Sequence, residues 1–358
     1  MGYDIDFLAV GENGRSGDAI ALRYGDLQQT PPRQTVAVID GGFTDDGKKL
    51  VDFIRTRYGT ETVDVVVSTH PDSDHANGLY AVLDDLTVGE LWIHRPWEHT
   101  DDIARMFRDG RVTDNSVREH LRKSLDSARS LESLALSKGI TMVEPFEGLS
   151  LDGVFTVLGP SETYYESLLP DFRGTPESAR GVLHEALHRA AEYVRKLAET
   201  WDFETLTDDG ETSAENNSGT VIQLTIEERA LLFTGDAGIP ALQAALDARD
   251  ARGLNNYDLR FVQIPHHGSQ RNVGPALLDR LLGVRVAQGS QPKSTAFVSA
   301  AKNGEPKHPS KKVTNAFQRR GSSVHATQGG AKWHHLSSPD RGDYSPSSPV
   351  PFYEEVED

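Results

Sequence analysis

Thr69-His70-Pro71-Asp72-Ser73-Asp74-His75-Ala76-Asn77-Gly78-Leu79 follows at once on the β-branched run Val63-Asp-Val-Val-Val-Ser68. That run reads as a buried strand, so the chain leaves a sheet and turns directly into two imidazoles and two carboxylates. Side chains at a strand end are held rigidly, while the adjoining loop leaves room for a substrate. His70 and Asp72 alternate, whereas Asp74 and His75 are adjacent. A sharp turn there aims one pair at one cation and the other pair at a second.

Two later segments repeat the pattern of ligands just past a β-run: Leu232-Phe-Thr-Gly-Asp236 and Ile264-Pro-His-His-Gly-Ser269. Asp236 is expected to bridge two cations through its two oxygens, with His267 or His266 closing the set. Two neighbouring cations suit hydrolysis, because they make water more acidic and stabilise charge on an attacked phosphoryl or acyl group. A polar turn without metal is the competing reading. Six ionisable residues gathered beside strands argue against it.

Outward from these segments, residues 4–10, 19–24 and 35–39 read as strands, the last running into Asp40-Gly-Gly. Residues 48–58 have helical spacing, and 90–94 is a further strand. From about 96 to 215 the rhythm changes. Leu121, Leu125, Ala128 and Leu131 recur at helical spacing, as do Leu183, Leu187, Ala190, Val194 and Leu197. This stretch is expected to be a mainly helical insertion, interrupted by one strand at 153–159. Strands resume at 219–225, 230–234, 259–264, 294–299 and 322–326. Residues 1–335 are therefore expected to form one hydrolase domain, and the acidic, Ser/Pro-rich residues 336–358 a disordered tail.

Composition narrows the chemistry. Among 358 residues there is no cysteine, which removes thiol nucleophiles, Fe–S clusters and Cys-based zinc sites. Any metal must be held by imidazole and carboxylate. The net charge of −17 repels nucleic acid at long range and lowers the expectation of tight DNA binding without a local basic groove. No run approaches the roughly 18 apolar residues of a membrane helix, and the N-terminus has no signal-peptide pattern. A cytoplasmic protein without membrane attachment is expected, with the insertion available for a protein partner or homo-oligomer.

The assembled motifs resemble the metallo-β-lactamase superfamily and, more narrowly, the hydrolase domain of ComEC-type competence proteins and its stand-alone relatives. The matching pieces are Ser16-Gly-Asp-Ala-Ile20, Val38-Ile-Asp-Gly-Gly42, Ser68-Thr-His-Pro-Asp-Ser-Asp-His75, Asn216-Asn-Ser218, Phe233-Thr-Gly-Asp236, Pro265-His-His-Gly-Ser269 and Gly304-Glu-Pro-Lys-His308-Pro309. The resemblance implies an α/β (α+β) fold, a four-layer αββα sandwich with the metals at one edge. It implies His70, Asp72, Asp74, His75, Asp236 and His267 as metal-site residues. Asp72 stands where most of the superfamily has histidine, and the histidine expected before Asp236 is not evident; Asn216-Asn217 occupies that part of the chain. Oxygen in place of imidazole hardens the site, which favours Mn²⁺, with Zn²⁺ as the alternative.

Catalytic roles are assigned to Asp74 and to His266 or His308, the histidines as acids for the leaving oxygen. Asp40, Asn217 and Ser269 are candidates for orienting the site or touching substrate; Asp40 is expected to orient the His-rich loop rather than to ligate. Ser269 either caps the following helix or donates to a phosphate oxygen. Lys311-Lys312 and Arg319-Arg320 either face a phosphodiester or lie on a helix surface. His184-Glu-Ala-Leu-His188 matches a zinc-protease pattern but reads better as surface-helix histidines. Gly11-Glu-Asn-Gly14 lacks the ending of a phosphate-binding loop and reads as a turn between strands, with its Gly17-Asp18 end expected near the metals.

The leading expectation is a phosphodiesterase acting on a nucleic acid or nucleotide. The alternatives are a hydrolase of a small ester, amide or nucleotide-like metabolite, and a non-catalytic metal-binding sensor.

Overall fold

The structure is a computed structural model that describes residues 1–11, 14–107, 109–175, 196–303 and 308–357. The first sheet is built from β1 (Gly2–Phe7), β2 (Ala19–Asp26), β3 (Arg33–Gly41), β4 (Thr62–Ser68), β5 (Thr87–Ile93) and β6 (Thr141–Val143). The second uses β7 (Ser150–Leu151), β8 (Phe155–Gly159), β10 (Val221–Ile226), β11 (Arg229–Phe233), β12 (Asp258–Gln263), β13 (Ser294–Val298) and β14 (Ser322–Ala326). β15 (Lys332–Leu336) crosses back to pair with β1, so the spatial orders are β15-β1-β2-β3-β4-β5-β6 and β14-β13-β12-β11-β10-β8-β7. A separate short pair joins β9 (Lys196–Ala198) to β16 (Glu355–Glu357).

The period of two along each strand makes four layers of these sheets. On β3, Ala37 and Ile39 face the opposing sheet, while Val36 and Val38 face outward to helices. Val65 and Val67 on β4 likewise point inward and Val63 and Val66 outward. The inner layer locks Phe7, Ile39, Val67 and Trp92 against Phe155, Phe233, Phe261 and Phe297. Helices Thr44–Phe53, Asp114–Ser124 and Asp126–Lys138 cover the first sheet; Ile239–Ala251, Pro275–Leu282 and Lys311–Arg319 cover the second. The expected αββα sandwich is the observed one.

The stretch 96–215 is not one helical block. Leu121, Leu125, Ala128 and Leu131 do lie on helices and are buried in the outer core of the first sheet. Yet β6 extends the first sheet, and β7 and β8 extend the second, so this stretch completes both. Leu197, expected on a helix, lies in β9. Leu183, Leu187, Ala190 and Val194 fall outside the described residues, as do His184, Glu185 and His188.

Residues 336–358 are docked rather than loose as far as residue 357. On β1, Asp4 and Asp6 alternate with core residues and lie on the outer face, fully buried. Arg341 reaches back to them, with Nη1 donating to Asp6 Oδ1 at 2.6 Å and Nη2 lying 3.2 Å from Asp4 Oδ2. Further along, Val350 N donates to Val324 O, Tyr353 N to Asn315 Oδ1, and β16 pairs with β9. Composition suggested disorder because these residues carry little apolar surface. Buried ion pairs and backbone hydrogen bonds hold them instead. No helix among the described residues is long and apolar enough to cross a membrane.

Candidate metal centre

β3 and β4 run parallel, as do β11, β12 and β13, so the carboxyl ends of the ligand-bearing strands lie along one edge of the sandwich. Asp40 lies within the end of β3, His70 two residues past β4, Asp236 three past β11, and His266 and His267 three and four past β12. Glycines permit the close packing. A Cβ on Gly78 would lie 1.9 Å from Gly41 O, so only glycine lets the His-rich turn press onto β3. Gly17 has the same role against Asp74 O, at 2.4 Å, and this brings Asp18 into the site.

Asp236 is the hub. Its Oδ2 lies 3.7 Å from His70 Nε2 and 3.6 Å from His266 Nε2, and its Oδ1 lies 3.4 Å from His75 Nε2. Asp72 Oδ2 is 3.7 Å from His70 Nε2, on the first side. Asp74 Oδ2 lies 3.9 Å from His75 Nε2 and 3.5 Å from His267 Nε2, on the second. All six residues assigned to the metal site are thus brought together. Asp18, with Oδ2 3.8 Å from His75 Nδ1, joins them.

His70 Nε2, His75 Nε2, both ring nitrogens of His267, Asp18 Oδ1 and Asp236 Oδ1 are buried without a hydrogen-bond partner. Each such group costs about 1–3 kcal/mol when left unsatisfied. Their convergence fits divalent cations, with nitrogen and oxygen donors of the kind that zinc and manganese take.

The network behind these atoms directs them. Asp40 accepts from Thr69 N at 2.8 Å, Thr69 Oγ1 at 2.7 Å and His75 Nδ1 at 2.8 Å. Although Asp40, His70 and His75 also group three potential ligand atoms, hydrogen bonds already close that group around Asp40. Thr69 Oγ1 gives its proton to Asp40 and so accepts from His70 Nδ1 at 3.0 Å. His70 and His75 therefore carry their protons on Nδ1 and present Nε2 to the centre. A grouping apart from the centre, His99 with Glu162 and Glu166, has two exposed acids, and His99 is hydrogen-bonded to Glu144 and Glu166. It is an ion-pair cluster.

Electrostatics in the absence of cations follow from the crowding. Burial, aided by the neighbouring His75, pushes His70 down to about 4. Burial would also lower His75, but Asp236 and Asp40 outweigh it and hold its pKa well above the usual histidine value. Burial alone would raise Asp236, yet His75, His266 and His267 keep it far below the ordinary carboxylate range. Asp18 is raised, chiefly by burial.

A cleft of about 300 Å³ adjoins the second side, lined by Arg15, Ser16, Phe43, Ser73, Asp74, His267 and His308. His308 and Asp74 thus face one space. His266 does not have the disposition expected of an acid, because Nδ1 meets Asn272 Oδ1 at 2.9 Å and Nε2 faces Asp236. Asn217 turns its Oδ1 toward Gly238, 2.5 Å from where a Cβ there would lie, and it is Asn216 whose amide approaches His266. Ser269 caps no helix, since its Oγ accepts from Arg271 N and the next helix begins after Gly274. Arg319 and Arg320 neither face a cleft nor lie on a surface. Both are buried, paired with Glu199 and with Glu204 and Asp279. Glu12 and Asn13 of the early glycine loop lie outside the described residues.

Several residues of the site were not singled out by motif. Arg173 pairs with Asp72 and, through Nε at 3.0 Å, with Glu215. Asn272 anchors His266, and Gln263 Nε2 donates to Asp18 Oδ2 at 2.9 Å. His94, buried at the end of β5, stacks on Tyr165 at 4.5 Å. None lies within a ligand-spaced pattern; only Asp18, beside Gly17, carried a local signal.

The family-model match agrees with this architecture. Residues 31–137 match the family model of the metallo-beta-lactamase superfamily. Similar solved structures include a diphosphatase of the PhnP family, at 12% identity over 94% of this chain and 98% of that one, with a TM-score of 0.42. Metallo-beta-lactamases from Pontibacter korlensis and Hirschia baltica also match, each at 12% identity. The first covers 72% of this chain and 85% of its own, with a TM-score of 0.32. The second covers 66% and 73%, with a TM-score of 0.28. No curated protein matches the chain. The matched segment runs from before β3 to the end of helix Asp126–Lys138, so the similarity to the metallo-β-lactamase superfamily includes the whole His70–His75 turn.

Proposed function

We propose that this chain hydrolyses phosphodiester bonds in a nucleic acid or nucleotide, with two divalent cations held by His70, Asp72, Asp74, His75, Asp236 and His267. The observation that carries the reading is the convergence of buried, unsatisfied ring nitrogens and carboxylate oxygens beside a cleft that also presents Arg15 and His308. Cations bound there would supply Lewis acidity and make water nucleophilic near neutral pH. Arg15 lies where a negatively charged phosphodiester would be attracted. His308 lines the same cleft as Asp74, and in this reading it would hand a proton to the leaving oxygen. Carboxylates at 72 and 74 favour Mn²⁺, with Zn²⁺ the alternative. Motif order supports kinship with the ComEC-type hydrolases.

A second reading, hydrolysis of a small ester, amide or nucleotide-like metabolite, is favoured by the cleft size. About 300 Å³ lies at the lower end of small-molecule sites. Purified protein supplied with Mn²⁺ or Zn²⁺ is to be tested on single-stranded DNA, a chromogenic phosphodiester and chromogenic carboxylic esters. Phosphodiester cleavage abolished by Asp74→Ala is the expected outcome; turnover of carboxylic esters alone would overturn it.

A further inference from the structure

We infer that His266 is a ligand of the first cation position, completing it with His70, Asp72 and Asp236, and that Asn272 is the positioning residue that makes it one. The inference rests on the two-cation reading above and assigns a residue that reading leaves out.

Three observations carry it. First, His266 Nε2 and His70 Nε2 approach the same oxygen, Asp236 Oδ2, at 3.6 and 3.7 Å, while His75 approaches the other at 3.4 Å. His70 and His266 therefore flank the same carboxylate oxygen, so His266 stands beside the oxygen that a first cation would share with His70. Second, the proton on His266 can be located from its neighbours. Asn272 Nδ2 donates to Asp236 O at 2.7 Å and to Ala237 O at 3.3 Å, which pins that amide with its oxygen toward His266. Asn272 Oδ1 lies 2.9 Å from His266 Nδ1, so Nδ1 carries the proton and Nε2 offers a lone pair. The Asn216 amide, 3.2 Å from the same Nδ1, does not oppose this. It is otherwise tied only to Thr212 Oγ1, which can donate or accept, so rotation presents its unsatisfied Oδ1 to the Nδ1 proton. This is the arrangement metal-bound histidines adopt, with the far ring nitrogen donating to an outer oxygen. Third, His266 and His267 both hold left-handed backbone, at φ 49° and 55°. Two successive non-glycine residues in that region are unfavourable, and here they turn adjacent side chains toward two different carboxylates, His266 toward Asp236 Oδ2 and His267 toward Asp74 Oδ2. His70 and His75 reach the same tautomer through Thr69 and Asp40, so three imidazoles are oriented by three separate anchors.

The added imidazole softens the first position, so Zn²⁺ competes there with Mn²⁺ more strongly than carboxylates alone would allow.

The test is cation stoichiometry, which needs no substrate. Wild type, His266→Ala and Asn272→Leu are loaded with Zn²⁺ or Mn²⁺, freed of excess, and assayed for metal per chain. Thermal unfolding in chelator checks that each variant is folded. Wild type is expected to hold two equivalents and His266→Ala one. Asn272→Leu is expected to bind the first-position cation about 10–100-fold more weakly. In parallel, nitrogen NMR of wild type should show His266 Nε2 shifting on Zn²⁺ addition while Nδ1 stays protonated. A His266→Ala chain that keeps two equivalents at wild-type affinity, with His266 Nε2 unmoved, overturns the inference alone. A folded wild type that takes up no cation overturns the two-cation reading, and this assignment with it.

Discussion

His75 turns its Nδ1 to Asp40 Oδ2 at 2.8 Å, and this aims its Nε2 at Asp236 Oδ1, 3.4 Å away. Asp40 thus acts on the centre through another residue. Replacing it with asparagine keeps the size but removes the charge that favours the Nδ1–H tautomer. Asp40→Asn is expected to weaken cation binding about 10–100-fold, read by calorimetric titration. Unchanged affinity would mean that the backbone alone orients His75.

His308 lines the cleft with Asp74 and is outside the ligand set. If it supplies the leaving-group proton, His308→Gln lowers kcat on a phosphodiester by about 10²–10⁴-fold. Metal content should remain that of wild type. A variant that loses cations instead would show that His308 supports the centre and not the chemistry.

Arg173 places a guanidinium on Asp72 while also pairing with Glu215. A cation next to a cation site competes for the same carboxylate. Arg173→Ala is therefore expected to tighten binding at the first position several-fold at low salt, with the effect shrinking as ionic strength rises. Weaker binding would show that Arg173 holds Asp72 in its ligating position.

Arg341 ties the C-terminal stretch to Asp6 and Asp4 on β1. Burial pushes Asp6 up to about 6 even with Arg341 beside it. Arg341→Ala leaves buried carboxylates short of a partner and is expected to cost about 3–5 kcal/mol in denaturant unfolding. A loss below about 1 kcal/mol would mean that Arg23 and Trp333, which also bind Asp4, suffice.

Burial also lowers His94 to about 3 from the ordinary 6.5. The folded chain keeps this ring neutral while the unfolded chain protonates it. Between pH 6.5 and about 3, unfolding takes up a proton, so stability is lost as the pH falls through that window. The slope from this one group reaches at most about 1.4 kcal/mol per pH unit. His94→Phe keeps a ring on Tyr165 and should flatten the acid limb when chelated wild type and variant are compared by unfolding. Parallel curves would place the proton uptake elsewhere.

Much of the centre is legible in the order of residues because its ligands lie close to strand ends. A β-branched run followed by His70-Pro-Asp72-Ser-Asp74-His75 has one reading, and the same holds for Phe233-Thr-Gly-Asp236. The partners that orient these ligands have no such register. Asn272 and Arg173 sit in irregular segments where nothing local distinguishes them from surface polar residues. Arg319-Arg320 misleads for the same reason: a basic pair looks exposed until Glu199 and Glu204 are found packed against it. Apolar spacing puts Leu197 in a helical period, but β-pairing with residues 355–357 places it in a strand.

Sequence by itself determined the alternation that builds two facing sheets, the ligand types available without cysteine, and the strand ends that carry them. Those properties are local, set by a period of two and by side-chain chemistry. Tertiary structure alone decided which nitrogen of each imidazole faces the centre and that residues 336–357 dock onto the sheets. Each of these depends on groups far apart in the chain whose pairing has no signature until the sheets are stacked. The His70–His75 turn supplies the donors, and the contacts behind it determine where they point.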